Sequence, residues 1–264
     1  VIADLQQQIE KGAEHISFGD PDFLNGPTHA IKIIKALNKS FPEITYDVTI
    51  KIEHLLKHEE LLSTLKTTGC LFITTAVESV EEDILRILDK GHTHEDFKKV
   101  ARNIRKIGIP LSPTFVPFTP WTTKKGFLRL LETIAELGLI WNVAPIQLAI
   151  RLLIPNKSYL LDLQELQPYL LGYNQEALSY TWRNPDESVE NLCNEVQTIV
   201  ENDSTHKLSR LETFRNIYAA ARIACGLNGD HIPYQMLPLQ DSIPSMSEPW
   251  FCCAEPTQEQ LSRL

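Results

Sequence analysis

Cysteine is scarce in this chain: 264 residues hold five, Cys70, Cys193, Cys225, Cys252 and Cys253. The number is odd, and no basic patch followed by an apolar core opens the sequence. A disulfide framework and a signal peptide are therefore not expected, and reduced, cytosolic thiols are. Long apolar runs are also missing. None reaches the ~18 residues of a membrane-spanning helix, so no membrane partner is expected. Basic charge is in deficit, with 25 Lys+Arg against 34 Asp+Glu and a net of −9. The deficit is concentrated after residue 154, where 7 basic groups face 15 acidic ones. Without a basic stripe, duplex nucleic acid is not an expected partner, although a single bound RNA-like substrate stays open. The chain opens on Val1 and not on a methionine, as a mature or truncated form would.

What is present is ordinary for a folded protein: 43% hydrophobic and 22% charged residues. From residue 1 to about 154 an amphipathic stretch alternates with a short β-branched run. Ile2, Leu5 and Ile9 have helical spacing and stop at Gly12, before the strand-like His15 to Phe18. A helix after Pro27, with Ile31, Ile34 and Leu37 on one face, precedes a strand from Ile44 to about Ile52. A helix with Leu61, Leu62 and Leu65 precedes Cys70–Val77. Ser79 and Glu82 have capping-box spacing for a helix through Lys90. Thr93 and Asp96 open another helix, which ends at Gly108. The strand Ile109–Phe118, a helix from Thr122/Thr123 to Gly138 and a strand Leu139–Val143 complete the series.

Strand starts near residues 14, 44, 70, 109 and 139 give a period of roughly 30, the size of a βα unit. Five such units without a GxGxxG turn predict a barrel or partial barrel over a nucleotide-binding Rossmann sheet. Residues 158–225 read as helical, with Leu160–Leu171, Val189–Val200 and Leu211–Cys225 as candidates. Residues 226–256 are rich in Pro and turn residues and read as a tail that orders on docking. The expected segments are thus 1–154, 155–225 and 226–264.

In βα barrels chemistry sits at the C-terminal ends of the strands. The candidates there are Gly19, Asp20 and Asp22, then Lys51 and Glu53, then Glu78 and Ser79, then Thr119 and Trp121, then Asn142 and Gln147. Carboxylates with a lysine suit a polar, charged small molecule. Helix capping alone is the simpler role for Asp20 and Ser79. Core packing is the simpler role for Phe115, Phe118, Trp121 and Trp141. His54 and His58 have metal-ligand spacing at i, i+4 but no apparent third ligand. Arg151, Arg183 and Arg222 suit a substrate anion, with surface pairing as the simpler reading. The adjacent Cys252 and Cys253 suit redox, soft-metal or nucleophilic work.

Three segments carry a family resemblance. Phe18-Gly19-Asp20-Pro21-Asp22-Phe23 resembles the second-strand motif of radical S-adenosylmethionine enzymes. Ala76-Val77-Glu78-Ser79, Ile84-Leu85 and Asp89-Lys90-Gly91-His92-Thr93 look like their fourth-strand pattern, with Ala76 where Gly is usual, and Arg105, Gly108 and Ile109 continue it. Trp250-Phe251-Cys252-Cys253-Ala254-Glu255-Pro256 looks like the tail of the CUAEP/CCAEP-tail radical SAM (seleno)proteins.

The resemblance implies a (βα)6-type TIM barrel here lacking its first βα unit, with a mainly helical extension and a Pro-rich tail. It also implies S-adenosylmethionine and a [4Fe-4S] cluster as cofactors, and a flavodoxin- or ferredoxin-type reductant. The cluster would cleave the sulfonium to a 5′-deoxyadenosyl radical that attacks a small-molecule or peptide substrate. Gly19, Asp20 and Asp22 would meet the amino group of S-adenosylmethionine, and Lys51 or Glu53 its carboxylate or ribose. Glu78 and Ser79 would approach ribose or carboxylate, and Pro117 with Phe118 the adenine. Thr119, Trp121, Asn142, Gln147 and Arg151 would face substrate, and Cys252 and Cys253 would act in catalysis.

One departure stands against this. No Cys-x-x-x-Cys-x-x-Cys occurs in the sequence, so the cluster ligands are expected upstream of Val1 and no metal ligand is expected within the chain. The alternative is a non-radical binding or thiol- or metal-handling module on a barrel scaffold.

Overall fold

The computed structural model describes residues 1–228 and Ile243. Contacts divide the chain into two compact units. Of the described residues, the first contains 1–77, 91–114 and Ile243, and the second contains 78–90 and 115–228.

In the first unit the amphipathic stretches form helices and the β-branched runs form strands. Helix α1 is Ile2–Glu10, β1 is His15–Ser17, α2 is Pro27–Ser40 and β2 is Thr45–Thr49. Helices α3 (Ile52–Lys57) and α4 (Leu62–Thr67) lead to β3 (Cys70–Glu78). The strands pair in the order β1-β2-β3, parallel, with His15 opposite Thr45 and Thr49 opposite Thr74. Strand β4 (Leu111–Phe115) adds beyond β3. Ile52, read as the strand's end, instead starts α3, because Lys51 N-caps a helix there.

The two faces of this sheet differ. Ile16, Tyr46, Val48, Ile73, Thr75 and Val77 are buried. The Tyr46 hydroxyl donates to Leu65 O (3.2 Å) and pairs with Thr68 Oγ1 (2.7 Å), so this face looks onto α4. Burial pushes the Tyr46 phenol far above its ordinary range. The alternate residues His15, Ser17, Asp47, Thr49, Thr74, Ser112 and Thr114 are only partly covered. Helix α6 (His94–Ile107) packs Phe97, Val100, Ala101 and Ile104 inward. Its Thr93–Asp96 capping box forms as the spacing predicts, and Gly108 ends it at φ 79°.

In the second unit the expected Ser79–Glu82 capping box does not form. Ser79 Oγ instead accepts from Glu81 N (3.1 Å), a tight local turn, and α5 (Glu82–Ile87) starts from Glu81. The Glu81 side chain has a different task. Thr123 Oγ1 donates to Glu81 Oε1 (3.0 Å) at the start of α7 (Lys124–Glu136). A Cβ on Gly126 would lie 2.0 Å from the Glu81 carboxyl carbon, so only glycine leaves room for it. Burial raises the Glu81 pKa, opposed by the bonds from Thr123.

The predicted strand Leu139–Val143 is also absent. After α7 the chain tightens into a 3-10 turn at Ile140–Asn142, with Asn142 N donating to Leu139 O (2.9 Å). Short apolar runs do not distinguish the two states, and the buried Ile140 and Val143 serve either. Parallel bridging resumes instead between Phe118 and Arg151.

Residues 160–171 are not the expected helix. Gln167–Tyr169, with Pro168 inside, is a 3-10 turn that feeds an antiparallel hairpin of β5 (Leu170–Asn174) and β6 (Ser179–Trp182). A two-stranded hairpin is marginal alone. This one is backed by a cluster of Val116, Ile150, Leu152, Ile154, Leu166 and Trp182. Each such side chain contributes about 1.5–3 kcal/mol when fully buried. The last helices match expectation as α8 (Glu187–Thr205) and α9 (Arg210–Ala224). Cys252 and Cys253, with the whole Cys-Cys-Ala-Glu-Pro motif, lie outside the described residues.

Two outcomes follow for solution measurements. Cys70 is buried and its thiol is pushed up to about 12, with desolvation the largest cause and Asp47 adding to it. Alkylation of the native chain at pH 8, mapped by peptide mass, should modify the half-exposed Cys225 before Cys70 and Cys193. Because the Glu81 pKa is raised on folding, its neutral form is the one the fold favours. That contribution is complete below the unfolded pKa and is lost as pH rises through the folded one. Glu81→Gln should remove this dependence. Wild type should gain stability relative to the variant between pH 7 and pH 5, read as melting temperatures, and parallel curves would refute it.

Candidate active site

The loop after β1 is built around a buried carboxylate. Asp20 Oδ1 accepts from Asp22 N (2.9 Å), a turn that buries Asp22 ahead of the 3-10 segment Phe23–Asn25. Asp22 Oδ1 accepts from Lys51 N (3.3 Å), the residue that caps α3 after β2. Lys51 Nζ lies 4.0 Å from Asp22 Oδ2, and His54 Nδ1 only 2.7 Å from it. The His54 contact lacks hydrogen-bond geometry, so that buried nitrogen has no hydrogen-bond partner. His54 Nε2 lies 3.6 Å from Glu53 Oε1. The Glu53 carboxylate overlies Gly91, where a Cβ would come within 2.5 Å of it.

Asp22, Lys51 and Glu53 are thereby gathered at the strand ends, and His54 is the member that sequence reasoning missed. Its i, i+4 spacing from His58 is that of metal ligands, but the sequence offers no third ligand. The rings lie 5.9 Å apart, but among the described residues no metal-ligating group of three or more exists. The signal was the carboxylate 32 residues away, which no local pattern reveals. Gly19 and Asp20 are exposed on the same loop, with nothing within 4 Å of a Cβ on Gly19.

In the second unit Glu78 sits at the end of β3 with φ 65°, a left-handed conformation unusual for a residue with a side chain. Its carbonyl accepts from Val116 N (3.0 Å), and its carboxylate pairs with Lys90 Nζ at 3.0 Å. Both side chains are largely sheltered, so the pair is stronger than a surface one. Ser79 is buried beside it. Pro117 is buried and its carbonyl accepts from Thr122 Oγ1 (2.8 Å), while Phe118 stacks on Phe127 (4.8 Å).

The residues expected to face substrate are engaged within the unit. Thr119 has no exposed surface, and its carbonyl and that of Thr122 accept from Asn184 Nδ2 at 3.3 and 2.9 Å. Trp121 Nε1 donates to Glu165 O (3.2 Å). Gln147 Oε1 accepts from Phe115 N (3.2 Å), and Asn142 is buried. Arg151 donates to Glu190 (2.9 and 3.4 Å) and to Trp182 O (2.6 Å), with its guanidinium 3.6 Å from the Trp182 ring centre. Thr119 has no exposed side to offer a ligand, and Arg151 holds α8 and the hairpin strand β6. Among the described residues no helix is long and apolar enough to cross a membrane.

The donor set can be tested against the cofactors that the sequence resemblance implies. In the first unit Asp20 and Asp22 provide acceptors for an ammonium, Lys51, 61% exposed, provides a cation for a carboxylate, and Glu53 provides acceptors for hydroxyls. These groups fit the amino-acid and ribose parts of S-adenosylmethionine. An iron–sulfur cluster does not fit the described cysteines, since Cys70 and Cys193 are buried and far apart in sequence.

Comparison with known proteins bears on the fold and the family. No curated protein matches the sequence. The solved structure of the cobalamin-dependent S-adenosylmethionine radical enzyme OxsB with aqua-cobalamin is similar at TM-score 0.70 and 14% identity, over 87% of this chain and 43% of that one. The same enzyme with aqua-cobalamin and S-adenosylmethionine gives 0.66 and 14%, over 83% and 41%. The radical S-adenosylmethionine methyltransferase TsrM from Kitasatospora setae gives 0.46 and 16%, over 52% and 26%. The chain therefore spans less than half the length of these structures. The shared fold is α/β with a parallel sheet, consistent with a partial TIM-barrel-like domain. The Radical SAM superfamily model matches residues 1–139, and the chain belongs to that superfamily, whose cofactors are S-adenosylmethionine and a [4Fe-4S] cluster.

Proposed function

We propose that this chain is the core and C-terminal part of a radical SAM enzyme acting on a small-molecule or peptide substrate. The observation that carries the reading is the gathering of Asp22, Lys51 and Glu53 around His54 at the C-terminal ends of β1 and β2, inside the span that matches the family. When bound, the family's cofactors supply radical initiation. The chain's own residues bind and orient. Asp20 and Asp22, on the Gly19 turn, accept from the ammonium of S-adenosylmethionine, and Lys51 holds its carboxylate. Glu53, Glu78 and Ser79 take the hydroxyls, and Pro117 lines the adenine side. Lys90 holds the Glu78 carboxylate at 3.0 Å, which leaves its second oxygen for a ligand.

Within this reading residues 1–154 are the partial barrel lacking one βα unit, 155–225 the extension and 226–264 the tail of the CUAEP/CCAEP type. The cluster is held by a Cys-x-x-x-Cys-x-x-Cys outside this sequence and reduced by flavodoxin or ferredoxin in the cytoplasm. Cys252 and Cys253 handle redox or substrate. Thr119, Trp121, Asn142, Gln147 and Arg151 shape the substrate side mainly through the bonds they make within the protein.

The test is anaerobic turnover by the protein that carries this chain, reconstituted with iron and sulfide. 5′-Deoxyadenosine should form from S-adenosylmethionine. Lys51→Met and Glu78→Gln should each raise the KM for S-adenosylmethionine about tenfold, the worth of one charge-assisted hydrogen bond, with a smaller change in kcat. Absence of 5′-deoxyadenosine from a cluster-loaded protein would overturn the reading.

A further inference from the structure

A parallel sheet normally buries both faces under helices. Here one face of the first unit's sheet is apolar and looks onto α4, while the other carries a hydrogen-bonded polar group that no cofactor role uses. His15 and Ser17 lie on β1, Thr45 and Asp47 on β2, and the register sets Ser17 opposite Asp47 and His15 opposite Thr45. Asp47 Oδ1 accepts from Ser17 Oγ (2.5 Å) and from His15 Nε2 (2.9 Å), while His15 Nδ1 meets Thr45 Oγ1 (2.7 Å). Phe72 stacks flat against the His15 ring at 6.4 Å and 13°, which fixes the imidazole plane. Both donors converge on one oxygen of Asp47. Its Oδ2 takes no hydrogen bond from the described residues, although the side chain is only 14% exposed.

The surroundings select what Oδ2 can accept from. Thr49, Thr74, Ser112 and Thr114 continue this face as a row of hydroxyls, half covered. No lysine or arginine occurs in any of the four strands. A phosphate or carboxylate would meet an aspartate, and the one group there able to carry positive charge, the His15 imidazole, is already bonded to that aspartate at 2.9 Å. A neutral hydroxyl donates to the carboxylate and accepts from neighbouring threonines. Asp47 also lies in mid-strand, two residues before the end of β2, and so is set back from the Lys51 and Glu53 loop.

We propose that Asp47, oriented by Ser17 and His15, is the binding subsite for a neutral, hydroxyl-bearing group of the substrate. The subsite rests on the proposed function only in that its ligand is a substrate. The test needs neither cluster nor S-adenosylmethionine cleavage, so it can fail while that reading stands.

The experiment is saturation-transfer NMR on the full chain with myo-inositol as the probe and inositol monophosphate as the charged comparison. Inositol should give a signal in wild type that falls about tenfold in Asp47→Asn, whose amide donates where the carboxylate accepted. The signal should also fall in Ser17→Ala, be weaker for the monophosphate, and withstand saturating S-adenosylhomocysteine. Thermal unfolding establishes that each variant is folded. Should Asp47→Asn not fold, Ser17→Ala decides: a reduced signal supports the subsite, and an unchanged one overturns it. The proposal is likewise overturned by no inositol signal in wild type, by equal signals in wild type and both variants, by a stronger monophosphate signal, or by displacement with S-adenosylhomocysteine, which would assign the hydroxyl to the cofactor.

Discussion

The first unit is governed by the two-sidedness of its sheet. Tyr46, Val48, Ile73 and Val77 commit one face to the helices, and strand geometry then sends every alternate side chain the other way. Those alternates are His15, Ser17, Asp47, Thr49 and Thr74, with the buried Phe72 beside Asp47. Such a face gains nothing from an apolar cover, because each hydroxyl and carboxylate would need a partner once removed from water. The face answers this in part from within, through the bonds of Asp47 with Ser17 and His15 and of His15 with Thr45. The polar floor and the loops at the strand ends are thus two results of one alternation.

Much of this was legible in the sequence. Period-2 runs placed β1, β2, β3 and β4, and the Thr93–Asp96 and Thr123 caps marked their helices, because those signals are local. The same alternation placed Asp22, Lys51 and Glu53 at strand ends. Where local signals were degenerate, the reading failed. Leu139–Val143 is as apolar as a strand but winds into a 3-10 turn, and Leu160–Leu171 has helical leucines but turns at Pro168 into a hairpin.

Long-range pairing was the other blind spot. Arg151 looked like an anion binder because its partner Glu190 is 39 residues away. His54 had metal-ligand spacing to His58 without a third ligand, and its neighbour Asp22, 32 residues away, was equally invisible to local pattern. A titratable residue in a sequence shows its chemistry but not whether the fold has already consumed it. In the second unit the fold has consumed most of it: Arg151, Asn184 and Glu190 form one connected set, with Asn184 N donating to Glu190 Oε1 at 2.5 Å. The charges left for a ligand lie mainly on the loops after β1 and β2.

Glu78 has a further consequence for anyone altering this protein. At φ 65° a side chain costs on the order of 1 kcal/mol that glycine would not, so thermal tolerance at this position sets that strain against the sheltered pair with Lys90. With glycine there the carboxylate would be discarded along with the strain, and with it the 3.0 Å contact to Lys90 Nζ. A library screened only for survival on heating would therefore read, at residue 78, the balance between backbone relief and one sheltered ion pair, and not any property of a ligand.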